Sequence, residues 1–571
     1  MSKVNDMGGK LSVEEVAYKH ALKNASDYGK AQVGAVVGKV IAEVPEAKAD
    51  MKATMKVISE VITKVNKMKK EQIEKEMEKF TFEEKKEEER RITLEDGERG
   101  RVVTRFLPEP NGFAHLGHAK AALLSYEAAR EYEGKCLLRF DDTNPEKERG
   151  EFVAAIKEDL EWLGMKFGKE LYSSDKMPEF YKLARQLIMQ GDAYVCSCEK
   201  ERINELRKLG KSCACRSNSI ESNLDAWDRM LAGKYGKGDA VLRLAAEPDS
   251  ANTVMRDPTL FRICSAEHYR QGRKYSVWPT YDFEVSIADS LDGVTHALRS
   301  KEYELRDELY YRIIEKLGMR KPIVYDFSRL TIKGIPLSKR LLKPLIDEKR
   351  VSGWDDPRMP TLRGLKRRGI LPEAIRNFVL SFGLSKVESE PSIDALLTEN
   401  RRLLDPKAPR YFFVKDPVEL VVDGVKKGEM KLKKHPTENL GERTLEITGK
   451  FFISKSDAEK LKKGDKFRLL DLCNVKLVGK GKTLEAEFTG NEGMEEKKLH
   501  WVTDKHVKAE VLVPSELFIE DKFNKDSLRI DEGYCEPECR NLKKGSIIQF
   551  VRYGFCILDD EKKMRFILTN P

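Results

Sequence analysis

The stretch from Val102 to Leu163 constrains this chain more than any other. Val102–Leu107 reads as a strand, and Ala114–Glu133 as a helix with small and apolar residues on one face. Cys136–Phe140 reads as a second strand, and Glu146–Leu163 as a further helix. Strand, helix, strand at this spacing predicts a βαβ unit, hence a parallel sheet with helices on its faces. Ligands of open parallel sheets bind at the C-terminal ends of the strands.

The loop at that end runs Arg105-Phe-Leu-Pro-Glu-Pro-Asn-Gly-Phe-Ala-His-Leu-Gly-His118. It opens a helix, whose free backbone N–H groups and partial positive charge suit phosphate. Gly112 and Gly117 let a ligand approach the backbone closely. His115 and His118 are three residues apart, so both face one side of the first turn. Two imidazoles there can donate hydrogen bonds to an ATP phosphate as charge builds on it. The plainer alternative is a pair of half-buried structural histidines. The chain has 8 histidines in all, and two of them at one strand-to-helix switch favour the functional reading.

The remaining sequence is long enough for several units. At about 150 residues per domain, 571 residues predict three or four. Residues 1–95 read as a helical extension, with Val57, Ile58, Val61, Ile62 and Val65 at helical spacing. Lys67–Arg91 is almost wholly charged with mixed sign, a solvated helix or linker. The amphipathic run before it makes these helices a candidate docking surface for a protein partner. Residues 340–404 read as helical and basic, punctuated by Pro344, Pro357, Pro360 and Pro372. Beyond 405 the pattern turns to short strands: Tyr411–Val414, Glu419–Val422, Thr444–Ile447, Lys466–Leu470, Leu484–Phe488, Glu510–Val513, Ile547–Val551 and Met564–Leu568. Such a series predicts barrels or sandwiches. No apolar run approaches the roughly 18 residues that span a bilayer. Met1–His20 has no apolar core of a secretory signal, so no membrane association and a cytoplasmic location are expected.

The string RFLPEPNGFAHLGHAKAA, Arg105 to Ala122, resembles the HIGH-motif region of class I aminoacyl-tRNA synthetases. Within that class it is similar to the glutamyl/glutaminyl branch of archaeal and eukaryotic type. Leu116 replaces the motif's isoleucine, and Leu107 and Ala114 also differ from familiar forms. Ile335-Pro-Leu-Ser-Lys-Arg340 resembles the KMSKS element in a degenerate form, with Pro336 for the first lysine and Leu337 for methionine. It lies about 220 residues after His118 and directly before the basic helical stretch.

The resemblance implies a Rossmann-type catalytic domain over 96–339. An insertion at about 172–275 would handle the tRNA acceptor end, a helical stem-contact domain would span 340–404, and β-barrels reading the anticodon would span 405–571. The fold class is thus multidomain α/β plus all-β. It implies ATP binding through Pro110, Gly112, His115, Gly117, His118, Ser338 and Lys339. Of these, His115, His118 and Lys339 would be catalytic, stabilising the phosphates in the transition state. Mg²⁺ would come with ATP. The amino acid would meet Arg105, Glu109, Asp141, Tyr281 and Arg299, with Asp141 taking its ammonium. Asp142 would orient the loop or cap the helix that follows.

Arg299 separates the two nearest functions. Glutaminyl relatives carry a small neutral cysteine there. A buried guanidinium favours a carboxylate over an amide. Ala297 and Tyr303 also resemble the glutamyl version rather than the serine and phenylalanine of glutaminyl enzymes. Which of Arg105 and Arg299 meets the side-chain carboxylate stays open, and Arg299 can alternatively pair structurally with Glu302 or Asp292.

Cys196-Ser-Cys198 and Cys213-Ala-Cys215, fourteen residues apart, form two thiol pairs able to close a tetrahedral structural Zn²⁺ site. The alternative is four reduced, unligated cysteines. Cys535 and Cys539, with Cys556 as a conceivable third ligand, read as unligated structural residues. Residues 401–571 carry 35 Lys/Arg against 30 Asp/Glu, a weak excess that steers phosphate only if clustered. Tyr411, Phe412, Trp501, Phe550 and Tyr553 are able to stack on bases, but strand alternation assigns them mostly to barrel core.

The expectation is ATP-dependent activation of L-glutamate and its transfer to tRNA(Glu), with tRNA(Gln) as a second candidate, by a monomer. A glutaminyl enzyme and an inactive tRNA-binding scaffold are the alternatives. A truncated relative that modifies a tRNA base would lack the tail, so length excludes it.

Overall fold

The computed structural model describes residues 12–28, 31–68, 70–77, 79–80, 92–493, 497–520 and 522–571. The chain divides into a unit up to Glu89 and a unit from Arg90 onward.

The first unit is helical: α1 (Val13–Tyr28), α2 (Val33–Glu43), α3 (Met51–Val65) and the short α4 (Lys70–Met77). Asp50 caps α3 by accepting from Ala53 N, satisfying one of its free N–H groups. Ile58, Val61, Ile62 and Val65 pack with Val16, Ala21, Leu22, Val36 and Val40 in one core. The apolar face that suggested a docking surface is therefore spent inside the unit. Of the charged run, α4 is helical, while residues 81–91 lie outside the described residues.

The second unit opens with the expected βαβ grammar: β1 (Val103–Phe106), α5 (Leu116–Glu131), β2 (Lys135–Phe140), α6 (Gly150–Trp162) and β3 (Lys169–Tyr172). The three strands pair in parallel, with Val103 opposite Lys135 and Leu137 opposite Lys169. Helix α6 starts later than expected. The Glu148 side chain turns back to accept from Asn144 N at 2.8 Å, folding residues 141–149 into a loop that stays in the site. Leu116, Ala119 and Leu123 of α5 pack on Phe106, Leu138 and Phe140. Each large side chain so buried contributes roughly 1.5–3 kcal/mol. At Gly134 a Cβ would lie 2.1 Å from Val102 O, so only glycine lets β2 start this close to β1.

The chain then departs into α7 (Met177–Met189), β4 (Ala193–Cys196), α8 (Lys200–Lys208), α9 (Ile220–Leu231), β5 (Val241–Leu244), β6 (Thr259–Ile263) and β7 (Val277–Pro279). Strands β4 to β7 form an antiparallel sheet in sequence order. Its last strand lies past residue 275. The parallel grammar resumes with α10 (Tyr281–Leu291), β8 (His296–Ser300), α11 (Asp307–Lys316) and β9 (Ile323–Phe327). Thr295 N donates to Val103 O at 2.8 Å, which sets β8 beside β1.

Next come α12 (Lys339–Asp347), α13 (Leu362–Arg367), α14 (Pro372–Leu380) and α15 (Ile393–Leu404). Thr361 caps α13 and forms an antiparallel bridge to His115, and Leu362 N donates to Ala114 O at 2.9 Å. The region after the lysine loop is thereby fastened to the histidine loop.

The tail is built of two seven-stranded barrel-like sheets. One runs, in spatial order, Arg410–Tyr411, Ile547–Phe550, Gly554–Asp560, Arg565–Asn570, Val507–Pro514, Leu528–Cys535 and Phe413–Lys415. The other runs Lys498–Leu499, Lys466–Leu469, Cys473–Lys480, Leu484–Gly490, Pro417–Asp423, Lys450–Ser454 and Val502–Thr503. The expected strand Tyr411–Val414 is broken at Phe412. Tyr411 and Phe413 enter the core of the first sheet, while Phe412 enters the second. Tyr411, Phe412, Trp501 and Phe550 are buried, so they are core rather than stacking platforms. Half-buried Tyr553 is held by Asp531 at 2.9 Å. Cys535, Cys539 and Cys556 are buried free thiols.

Candidate active site

The site lies at the C-terminal ends of β1 and β2. Two backbone bonds tie its loops together: Asp141 N to Pro108 O at 3.1 Å, and Arg149 N to Pro110 O at 3.0 Å. His115 is the N-cap of α5. Its Nδ1 accepts from Gly117 N at 3.0 Å, and His118 Nδ1 accepts from His115 N at 3.2 Å. A ring nitrogen that accepts a backbone N–H carries no proton, so each imidazole keeps its proton on Nε2. The rings lie 3.9 Å apart, centroid to centroid. Burial pushes both pKa values down, His118 to about 4 and His115 well below its usual value with His118 opposing its charge. At neutral pH the pair offers two uncharged Nε2–H donors. Gly117 is required here, because a Cβ would sit 2.9 Å from His115 Cε1.

Lys339 begins α12, and its Nζ donates to Asn111 O in the histidine loop. Its stem lies against Gly112, where an added Cβ would be 3.4 Å from Lys339 Cδ. Burial lowers its pKa and Glu109 opposes this. The two motifs, 221 residues apart between His118 and Lys339, thus meet in space. Ser338 is the N-cap of α12 and makes no side-chain cap bond.

Asp141 follows β2 and accepts from Thr143 Oγ1 at 3.1 Å. Its pKa is raised, by burial first and by Glu109 next. An acid held up in this way gains from an arriving ammonium. Asp142 does not cap the helix that follows, whose N-cap is Arg149 with no side-chain bond. It accepts from Ser174 N and Ser174 Oγ, both at 2.8 Å, and from Tyr269 OH at 3.2 Å, bracing β2's exit against the inserted segment. Burial pushes it up to about 7.

Arg105 is buried and engaged: Nε donates to Asp289 Oδ1 at 3.0 Å and Nη1 to Leu298 O at 2.7 Å. Arg299, also buried, donates Nη2 to Tyr303 O at 3.1 Å, and this nitrogen lies 2.9 Å from Asp307 Oδ1. Its Nε and Nη1 are buried with no partner. Neither partner considered from sequence holds it. Glu302 pairs with Arg329, and Asp292 with Arg139 and Lys176. Burial raises the Tyr281 phenol, and both Arg299 and Arg105 oppose this, so Tyr281 stands near the two guanidinium groups. The Tyr281 and Tyr303 rings lie 4.8 Å apart.

Sequence reasoning missed the network beneath these groups. Asp289 Oδ1 also accepts from Arg139 Nη2 at 2.7 Å, and Asp289 Oδ2 from Tyr310 OH at 3.1 Å. Burial alone would raise Asp289, but Arg105 and Arg139 hold it below the usual value. One readable signal was present: Arg139 is a charge inside the otherwise apolar strand Cys-Leu-Leu-Arg-Phe.

Away from the cleft, the four cysteines converge between β4 and the loop after α8. Cys196 and Cys213 Sγ are 3.6 Å apart, Cys198 and Cys215 Sγ 3.8 Å, and all four lie within 4.8 Å of one another. A tetrahedron with Zn–S bonds of about 2.3 Å places its sulfurs about 3.8 Å apart, so the donor set fits that ion.

Comparison with known proteins matches residues 101–405 to the family model for tRNA synthetases class I (E and Q), catalytic domain. Residues 408–491 and 498–559 match two anti-codon binding domain models of the same description. A glutamate–tRNA ligase of Nitrosopumilus maritimus is 45% identical over 509 residues, covering 88% of this chain and 89% of that protein. One from Pyrococcus furiosus is 39% identical over 569 residues, covering 96% and 98%. A crystal structure of a glutamate tRNA ligase from Elizabethkingia meningosepticum aligns with 53% of this chain and 70% of its own, at 21% identity and a TM-score of 0.41.

Proposed function

This chain belongs to the class I tRNA synthetases that serve glutamate and glutamine, and from that premise we infer its reaction: it is a glutamate–tRNA ligase. Glutamate's α-carboxylate attacks the α-phosphate of ATP, releasing pyrophosphate and leaving glutamyl-adenylate. A ribose hydroxyl at the 3′ end of tRNA then takes the glutamyl group. Mg²⁺ accompanies ATP, held mainly by the phosphates.

The observation that carries the amino-acid assignment is Arg299, a buried guanidinium with two unpartnered nitrogens. An anionic side chain satisfies it, whereas an amide leaves its charge unmatched. Arg105 already spends Nε and Nη1 on Asp289 and Leu298, so we assign the side-chain carboxylate chiefly to Arg299. Asp141, beside Glu109, takes the ammonium, and Tyr281 stands near the two arginines. The Nε2–H groups of His115 and His118 and the ammonium of Lys339 stabilise charge on the phosphates. Pro110, Gly112, Gly117 and Ser338 shape the loops that admit ATP. No protein nucleophile is required, since positioning and charge stabilisation supply the rate.

Further parts of the reading are proposals of the same kind. Residues 340–404 contact the tRNA stem, the segment at about 172–275 handles its acceptor end, and the β-rich tail reads the anticodon. Four thiols hold a structural Zn²⁺ with no open position, and this ion does no chemistry in the reaction. The enzyme acts as a cytoplasmic monomer. Its N-terminal helices bury the apolar face read from sequence in their own core, and offer a partner a mainly polar surface on which Met51 and Met55 of α3 are exposed. Transfer to tRNA(Gln) as well as tRNA(Glu) is open to the same site.

Aminoacylation with purified tRNA(Glu) and tRNA(Gln), each tried with glutamate and with glutamine, tests this. Glutamate charging of tRNA(Glu) is expected. Glutamine charging in its place would reverse the assignment, and no charging with either amino acid would leave a tRNA-binding scaffold.

A further inference from the structure

Arg243 lies on β5, opposite Tyr194 of β4 and diagonal to Cys196. It is 1% exposed. A guanidinium this deep needs a negative partner, because an isolated buried charge is costly. No carboxylate is ion-paired with it among the described residues. Nε donates to the main-chain oxygen of Asp257 at 2.9 Å, and the group lies 5.6 Å from the centre of the Tyr194 ring. The Asp257 carboxylate is engaged elsewhere, by Arg216, by Tyr194 OH at 3.0 Å and by Ala246 N at 3.0 Å. The remaining acceptors are sulfurs: Arg243 Nη1 reaches Cys213 Sγ at 3.6 Å and Cys196 Sγ at 3.9 Å.

We propose that Arg243 is the charge partner of the four-cysteine centre, donating to two of its thiolates and so holding the metal in place. The inference rests on the zinc reading above. Four thiolates around one divalent ion leave two net negative charges inside a buried cluster, and Arg243 is the cation placed to offset them. By withdrawing electron density from Cys196 and Cys213 it also makes these sulfurs poorer targets for electrophiles. Residues behind the ligands typically change metal affinity about 10- to 100-fold.

The test uses the full chain. Metal content is measured by mass spectrometry, then zinc release into a chromogenic chelator is followed for the parent, Arg243→Gln and Arg243→Lys. The parent is expected to hold one zinc per chain. Arg243→Gln should release it about 10-fold faster or more. Arg243→Lys keeps the charge but loses the guanidinium's geometry, and should fall between. If Arg243→Gln does not fold, the Arg243→Lys rate decides alone. A parent that holds no zinc overturns the metal reading itself. A parent with zinc, and variants that release it at the parent's rate, overturns the role of Arg243 while leaving the metal site intact.

Discussion

Replacing Arg299 with cysteine removes the group to which we assign glutamate's side-chain carboxylate. Two of its nitrogens are buried without partners, so on that assignment the loss falls on bonds that would form only with substrate. A hydrogen bond to a charged group contributes roughly 1.5–3 kcal/mol. Losing one therefore costs about 10- to 150-fold in kcat/KM for glutamate, and losing two costs more without adding simply. The structural side effect is contained. Arg299 also faces Asp307, but burial already raises the pKa of that acid, with Arg299 the first group opposing it. Without the arginine Asp307 takes up a proton, and no naked charge is left behind. The assay is ATP–pyrophosphate exchange in the presence of tRNA, with glutamate, glutamine and ATP varied in turn. Glutamate kcat/KM should fall by at least tenfold while the KM for ATP moves by less than about twofold, since among the described residues Arg299 contacts Tyr303, Asp307 and Tyr310 and not the residues to which we assign ATP. The preference for glutamate over glutamine should narrow. Arg299→Lys should recover part of the loss by restoring charge. Unchanged glutamate kinetics in Arg299→Cys would refute the reasoning.

Other residues give equally direct expectations. Lys339→Ala should lower kcat by about 10²–10³ with little change in the KM for ATP, as the proposed role of its ammonium on late-developing charge requires; a loss confined to the KM for ATP would make it a ground-state contact. Gly117→Ala forces its Cβ to 2.9 Å from His115 Cε1, displacing the ring. Exchange should fall at least tenfold while Tm shifts only by the few degrees that about 1 kcal/mol produces, and an active variant would show that the ring's position is not critical. His118 has its pKa lowered to about 4, so the native protein binds fewer protons than the unfolded chain from pH 6.5 down to that value. Its contribution to stability is complete above pH 6.5 and is lost as pH falls through this window. Exchange at saturating substrate should show no inflection near pH 6.5, and an acid limb centred there would mean that the imidazoles are charged in the resting site.

The parts of the fold legible in the sequence are those whose hydrophobic period is local. The alternation from Val103 to Trp162 announced the parallel unit because its strands are mainly apolar, Arg105 and Arg139 aside, and its helices small on one face. Helix α6 was read too early because Glu146 and Glu148 look like ordinary first-turn acids. Glu148 is in fact drawn back onto Asn144 N and buried. In the tail, Leu528–Cys535 and Cys473–Lys480 escaped notice since Asp531, Glu532 and Lys476 interrupt their apolar runs. Asp531 is nonetheless buried, matched by Arg529 two residues back on its own strand and by Lys415 and Tyr553 from elsewhere in the chain.

The site divides along the same line. Motif residues were readable because a loop must place them side by side: His115, Gly117 and His118 share one helical turn. Asp289 was not, because its role exists only after β1, β2, α10 and α11 have assembled, bringing Arg105, Arg139 and Tyr310 to a single carboxylate. That assembly bears on what the two arginines can do. Arg105 is fixed by a charged acceptor and a carbonyl, so its guanidinium is held rigidly and has less left to offer a ligand. Arg299 is held by one nitrogen and leaves two buried without a protein partner, and a buried donor left unmet costs roughly 1–3 kcal/mol. A fold retains such a cost where a ligand removes it, and among the groups an amino acid brings, a second carboxylate removes it most completely. With the side-chain carboxylate assigned to Arg299, the preference for glutamate would follow from how incompletely the protein satisfies one of its own side chains.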